Sequence, residues 1–538
     1  MRNSGRKGCG RPLRLCFRRR LCNNEAQFAR LNLVRSGSVQ FAVCNFRPAV
    51  LKLSRKPVFR LAAVCLGILP FVVFETACRL TNAHPEVRLE DSWTEFAGTR
   101  PLFETNDEGD LTQIAADRRA YFAHDSFPTR KPAGQRRVFV LGGSTVQGRP
   151  FSLPTSFPTF LELTLGHATD HQDWDVINCG GISYASYRLR PVLAECLQHD
   201  PDLIIICTGH NEFLEFITYA DVRSAPSSAR AINRAASQLA SVQFLRSAML
   251  DVEQTGVLST EVDAILDHAD GLRAYHRHAL HRADVVRKFG DYVQKMLRMC
   301  SRAEVPVLLV APPSGLRDCP PFKSEFSAVT SDRVKQQIHS CLLSAQEPSN
   351  AQTVAALTLL ERATSLDPAY AFSWYRLGLA QIQHKNFDAA RASLRRACDE
   401  DVCPLRMTFA LRTQMKQAAE DEGVTVLDLQ DWLSGSARMG ILGRDQLVDH
   451  VHPSFTVNQQ IAVRLAEEME QADLVSLPDG LHDIVAPEFQ AHLQSLNNLY
   501  FLDGRRTLQV MKEWTQGRGD GPPLQSHQKT ASQEGTAP

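Results

Sequence analysis

Net charge is what this chain lacks most. Across 538 residues, 60 Lys and Arg face 59 Asp and Glu, giving a formal charge of +1 at pH 7 and a pI near 7.6. Binding to a nucleic-acid backbone needs a concentrated basic face, so no nucleic-acid partner is expected. The 14 cysteines contain no metal-type CxxC pair, so no metal site and no other cofactor is expected. Several cysteines sit in apolar patterns that read as buried thiols, and an exported location would permit a disulfide without fixing a pairing. No Gly-Lys-Ser/Thr follows Gly142-Gly143, which disfavours a phosphate-binding loop. What is plentiful is apolar residues, at 43%. That is enough for a sizeable core, in a chain too long for one ordinary domain.

The charge is unevenly placed. Residues 1–56 are rich in Arg and Lys, with Glu25 the only acid, and residues 1–57 read as a disordered basic segment. The apolar run Val58–Phe74 follows, with Arg60 near its start and Glu75 and Arg79 just beyond. A span needs about 20 apolar residues, so the run is short. Basic residues before it favour an inside N-terminus. The expectation is a transmembrane anchor over 58–80 with the catalytic domain periplasmic or otherwise outside the cytoplasm. The alternatives are a cleaved secretory segment or a mitochondrial-type presequence. Residues 81–135 are polar and mixed and read as a juxtamembrane lead-in.

From 136 the pattern alternates strand and helix: strands at 137–141, 174–178, 202–207, 305–310 and 424–428, and helices at 157–165, 187–198, 286–302 and 457–470. Residues 220–285 read as mostly helical. This is the signature of an α/β, doubly wound parallel sheet with helices on both faces. Its two parts are 136–340 and 405–475. Between them, over 350–402, Trp374, Leu377, Gly378, Ala390, Leu394 and Ala397 fall on a 34-residue tetratricopeptide pattern. It reads as an all-α insertion and a docking place for a protein partner, against the plainer reading of an ordinary helical hairpin. A helical extension over 476–517 and a disordered tail over 518–538 complete the chain.

Four short stretches carry chemistry. Ser144 follows a predicted strand and the pair Gly142-Gly143, at the sheet edge where open α/β folds bind ligands. Alone it reads as a helix cap. Asn211, in Thr208-Gly209-His210-Asn211-Glu212, follows the third strand and can donate to a developing oxyanion, or simply hold a turn. His210 beside it reads as structural or substrate-adjacent. Asp449 and His452, three apart and before Pro453, can form an acid–base pair, with His450 the competing base. The stretch Asn178–Ser183 offers backbone donors.

Together these residues resemble the SGNH hydrolases, also called GDSL-type esterases. The resemblance implies Ser144 as nucleophile, Asp449 and His452 as acid and base, and an oxyanion hole from Asn211 and a backbone N–H of the second block. With Asn178 aligned to the family's asparagine, the family's glycine falls on Ser183; Gly181 is the other candidate. The first block is Gly-Gly-Ser-Thr where the family has Gly-Asp-Ser-Leu. More narrowly, the chain resembles membrane-anchored bacterial members with a tetratricopeptide insertion. The implied function is hydrolysis of acyl esters, acetyl among them, on a small-molecule or carbohydrate substrate. The alternatives are O-acyl transfer to or from a polysaccharide, and a tetratricopeptide-bearing binding scaffold. The sequence does not separate water from sugar as acceptor.

Overall fold

The computed structural model describes residues 55–80, 101–169, 172–214, 239–242, 275–346 and 354–517. The basic N-terminal segment, most of the stretch at 220–285 and the tail at 518–538 lie outside the described residues. The chain divides into two compact units, Met1–Leu69 and Pro70–Pro538.

The expected span takes the form of a helix, α1 (Arg55–Leu80), with Pro70 inside it. It does not meet the requirement for a span: among the described residues, no helix is long and apolar enough to cross a membrane. Arg60, Glu75 and Arg79 cut the apolar stretch short.

Residues 81–100 of the lead-in lie outside the described residues, and its remainder carries a small sheet. Its strands β1 (Phe103–Thr105), β2 (Leu111–Ile114) and β3 (Ser126–Pro128) form a small antiparallel sheet in that order. Strands of three or four residues are too short to show a two-residue period. Phe103 and Phe127 pack edge-on, with ring centroids 5.2 Å apart, and both meet Phe139 of the main sheet. The fully buried Arg137 ties the sheets together, donating to Pro128 O at 2.8 Å and His199 O at 3.0 Å.

The main sheet has five parallel strands: β4 (Gln135–Gly142), β5 (Asp173–Gly180), β6 (Leu203–Cys207), β7 (Val307–Ala311) and β8 (Val426–Asp428). Their order is β5-β4-β6-β7-β8, so the chain leaves β4 first to one side and later to the other. The crevice at the carboxyl end of β4 is the switch point where such sheets bind ligands. Alternate residues feed opposite faces, as a strand's two-residue period requires. Phe139, Leu141, Ile177, Ile204 and Ile206 pack under α4 (Ser186–Cys196), α5 (Ala279–Arg302) and, beyond the insertion, α10 (Phe409–Asp421). Val138, Val140, Val176 and Ile205 pack under α3 (Phe157–Leu165), α11 (Leu429–Ser434), α12 (Phe455–Gln471) and α13 (Leu481–Ser495).

Between β7 and β8 lies a helical insertion: α6 (Asp332–Ser344), α7 (Val354–Leu366), α8 (Ala371–Gln383) and α9 (Phe387–Glu400). Its own core includes Ile338, Leu360, Tyr375, Leu377, Ala390 and Leu394. A side chain at Gly378 would collide with Leu394, so the glycine permits α8 and α9 to approach. Tyr375 fastens the insertion to the α/β body by donating to Arg317 O at 3.1 Å. The C-terminal extension forms α13 and α14 (Asn498–Gly517).

Candidate active site

The site is built from chain ends at the carboxyl edge of the sheet. Strand β4 delivers Ser144 to the start of the short helix α2 (Ser144–Gln147), with Gly143 before it and Gly148 closing it at φ +97°. A Cβ at Gly142 would strike Val146 and the Cys207 carbonyl, and one at Gly180 would strike the Gln147 backbone. Only glycine lets the two strand ends and the serine turn come this close. Asn178 braces the same turn: its amide donates to Val146 O at 2.8 Å and its oxygen accepts from Gly180 N at 2.9 Å.

Ser144, His452 and Asp449 form one hydrogen-bonded chain. His452 Nε2 lies 2.8 Å from Ser144 Oγ, and its Nδ1 lies 2.7 Å from Asp449 Oδ2. The other Asp449 oxygen accepts from the backbone N–H groups of Val451 (2.9 Å) and His452 (2.8 Å). Burial alone would raise the Asp449 carboxyl. The His452 imidazole, by charge and by hydrogen bond, outweighs it with help from His450 and holds the acid well below the usual carboxylate range. An ionised, oriented carboxylate is what fixes an imidazole tautomer with Nε2 free to take a proton.

His450 is placed elsewhere. Its Nδ1 is 3.8 Å from Asp449 Oδ1, too far for a hydrogen bond. Its ring meets the edge of Phe322, with centroids 5.2 Å apart. Burial pushes its pKa down to about 4.

The second block separates its two amides. Gly181 N–H is committed to Gly142 O at 2.9 Å, while Ile182 and Tyr184 N–H donate to Tyr121 O and Gly181 O. Ser183 adopts a left-handed φ of +61°, and among the described residues its N–H has no acceptor. Asn211 Nδ2 donates one hydrogen to Tyr184 O at 3.1 Å and lies against Gly143, leaving a second hydrogen for another acceptor. Glu212 is buried and accepts from Ser186 N (2.8 Å) and Oγ (2.9 Å), fixing the start of α4.

Two supports were not anticipated from the sequence. Asp125, from the small-sheet segment, accepts from Asn178 N at 2.7 Å, and burial lifts its pKa to about 6. Arg406, just after the insertion, is buried and donates to Gly315 O and to Cys319 O at 2.9 Å. Gly315 N–H in turn donates to His450 O at 2.8 Å, so Arg406 steadies the loop against which the His452 segment rests. A lone arginine in a loop carries no sequence pattern that would have marked it. Among the described residues, no group of three or more His, Cys, Asp or Glu side chains is placed to hold a metal ion.

No protein-family profile matches the sequence, and no curated protein matches it. Among solved structures, an acetyl xylan esterase (AlAXEase) is 12% identical over 62% of this chain and 98% of its own, with a TM-score of 0.27. The acetylxylan esterase Axe2 from Geobacillus stearothermophilus is 10% identical over 62% and 94%, at a TM-score of 0.27. A GDSL-like lipase from Parabacteroides merdae is 12% identical over 63% and 96%, at 0.30. Likenesses this distant decide nothing about activity, and the functional reading rests on the chain's own residues.

Proposed function

We propose that the chain is a serine ester hydrolase of the SGNH type, with Ser144 as nucleophile, His452 as base and Asp449 as its orienting acid. The supporting observation is the continuous hydrogen-bonded chain from Ser144 Oγ through His452 to Asp449. In this reading Ser144 Oγ attacks the ester carbonyl carbon as its proton passes to His452 Nε2. The oxyanion accepts from Ser183 N–H and the free Asn211 amide hydrogen. Collapse breaks the bond to the alcohol oxygen, which takes the proton from His452 and leaves an acyl-Ser144. Water, deprotonated by His452, then attacks the acyl carbon; the bond from that carbon to Ser144 Oγ breaks, Oγ takes the proton back from His452, and the acid leaves.

The direct test is covalent labelling by a fluorophosphonate. The native chain is expected to be labelled at Ser144 and the folded Ser144→Ala variant to be inert, with turnover lowered roughly 10⁴–10⁶-fold. Undiminished labelling of the Ala variant rejects the assignment.

The proposal extends to location. The basic-then-apolar order of residues 1–74, and the exposed Phe71, Val72 and Val73, support export of the α/β domain from the cytoplasm. External protease is expected to reach residues beyond 85 once the outer permeability barrier is opened. Protection that is lost only when the inner membrane is breached reverses the topology.

A further inference from the structure

The C-terminal extension supplies none of the reacting groups, yet its last helix lies against the two segments that carry them. On the nucleophile side, Ser144 O accepts from Gly148 and Arg149 N–H, each at 3.1 Å. Gly148 O accepts in turn from Phe151 N–H at 3.2 Å and Ser152 N–H at 3.1 Å. Two hydrogen-bonded turns therefore tie Ser152 to the backbone of the nucleophile. Ser152 holds φ +148° and ψ −169°, a region that is essentially glycine's alone. A side chain in such a conformation persists only where its surroundings fix it, and such residues gather at active sites.

The extension provides the fixing contacts. Tyr500, on α14, donates its hydroxyl hydrogen to Ser152 O at 3.3 Å and so accepts from Thr155 Oγ1 at 2.7 Å. His492 Nε2, on α13, donates to Pro154 O at 2.7 Å. Gly504 backs onto the Phe151 ring, which a Cβ there would strike. Glycine inside a helix is otherwise unfavourable, so this close approach accounts for it. The same helix reaches the base side. Phe455 follows His452 by three residues and opens α12. Its ring meets Phe151 at 4.5 Å and Phe501 of α14 at 6.0 Å between centroids, and Phe501 meets Phe151 at 6.5 Å. Asn458, one turn further along α12, donates to Thr155 O at 2.9 Å. One helix thus grips the chain just after the nucleophile and just after the base, whose side chains stand 2.8 Å apart.

We propose that Tyr500 is a positioning residue: through it α14 clamps the strained turn after Ser144 against Phe455 and so sets the distance from Ser144 Oγ to His452 Nε2. This rests on the serine-esterase reading above. A misplacement of about 1 Å between reacting groups can cost roughly 10²-fold in rate.

Steady-state kinetics of the full chain on propyl acetate, with denaturant unfolding to show that each variant is folded, tests the clamp. Tyr500→Phe keeps the ring and removes the hydroxyl. It is expected to lower kcat about tenfold and to leave KM within about twofold, because the residue does not touch substrate. Glycine adopts the Ser152 conformation without strain, so the pin becomes dispensable. Tyr500→Phe combined with Ser152→Gly is therefore expected to return kcat to within about threefold of native. Gly504→Leu, which wedges α14 away from Phe151, is expected to cost up to about 10²-fold in kcat. Val510→Ser, on the exposed side of the same helix, is expected to keep the native kcat. Native kcat in both Tyr500→Phe and Gly504→Leu overturns the proposal. So does a raised KM with kcat preserved, which makes the aromatic cluster a substrate wall, or a loss in Tyr500→Phe that Ser152→Gly does not repair. Fluorophosphonate labelling separates the two levels: a native chain that is labelled and active beside unaffected variants removes only the role of Tyr500, whereas no labelling and no ester turnover removes the esterase reading itself.

Discussion

The two donors proposed for the oxyanion differ in kind, and this gives them opposite responses to substitution. Ser183 would act through its backbone N–H and already holds φ at +61°, a conformation glycine adopts freely. Ser183→Gly is therefore expected to leave kcat within about threefold. Asn211 would act through its side chain, so Asn211→Ala is expected to lower kcat about 10²–10³-fold with little change in KM. Steady-state kinetics on one small ester tests both. A large KM rise with kcat preserved in Asn211→Ala makes it a ground-state binding residue. A collapse of kcat in Ser183→Gly shows that the hydroxyl, not the amide, matters. The Gly181 N–H is already occupied by Gly142 O, a commitment that only the path of the backbone reveals.

At the scale of elements, the main strands and helices were legible because their periods are strong. The run Leu203–Cys207 is uniformly apolar, as a strand buried on both faces must be, and Ser156 caps α3 where the pattern begins. The small sheet was not legible, since β1, β2 and β3 are brief and mixed in polarity. The proximity of Ser144, Asp449 and His452 was suggested by motif spacing and strand-end position. Their supports were not, because Asp125 and Arg406 act across 53 and 91 residues of sequence through backbone groups. Arg406 links the end of the insertion to the catalytic loop, and that makes a prediction for the element. Arg406→Met leaves the Gly315 and Cys319 carbonyls without their charged donor, at a cost of about 2–4 kcal/mol in stability. It is also expected to lower kcat on a small ester in protein that remains folded. Chemical denaturation and kinetics on the same sample test it, and unchanged kcat in a destabilised variant confines Arg406 to a structural role.

For the whole molecule, the catalytic loop is both a functional part and a source of acid sensitivity. His450 is buried beside the ionised Asp449 and the Phe322 ring, and its pKa falls to about 4 from an ordinary 6.5. The unfolded chain therefore binds a proton at this histidine at a pH where the folded chain does not. By linkage, the contribution from a neutral His450 is fully present above about pH 6.5 and is lost as pH falls toward 4. The shift corresponds to about 3 kcal/mol. Asp125 and Asp175, each raised to about 6 mainly by burial, work in the opposite direction over part of the same range. The absolute stability of the chain therefore mixes these effects, and the difference between two chains isolates one. His450→Phe keeps a flat ring and removes the titration. Relative to this variant, the native chain is expected to lose about 3 kcal/mol between pH 6.5 and 4, measured by denaturant unfolding at each pH. A difference that stays constant with pH shows that His450 titrates alike in the folded and unfolded chains, and places the acid sensitivity on other groups.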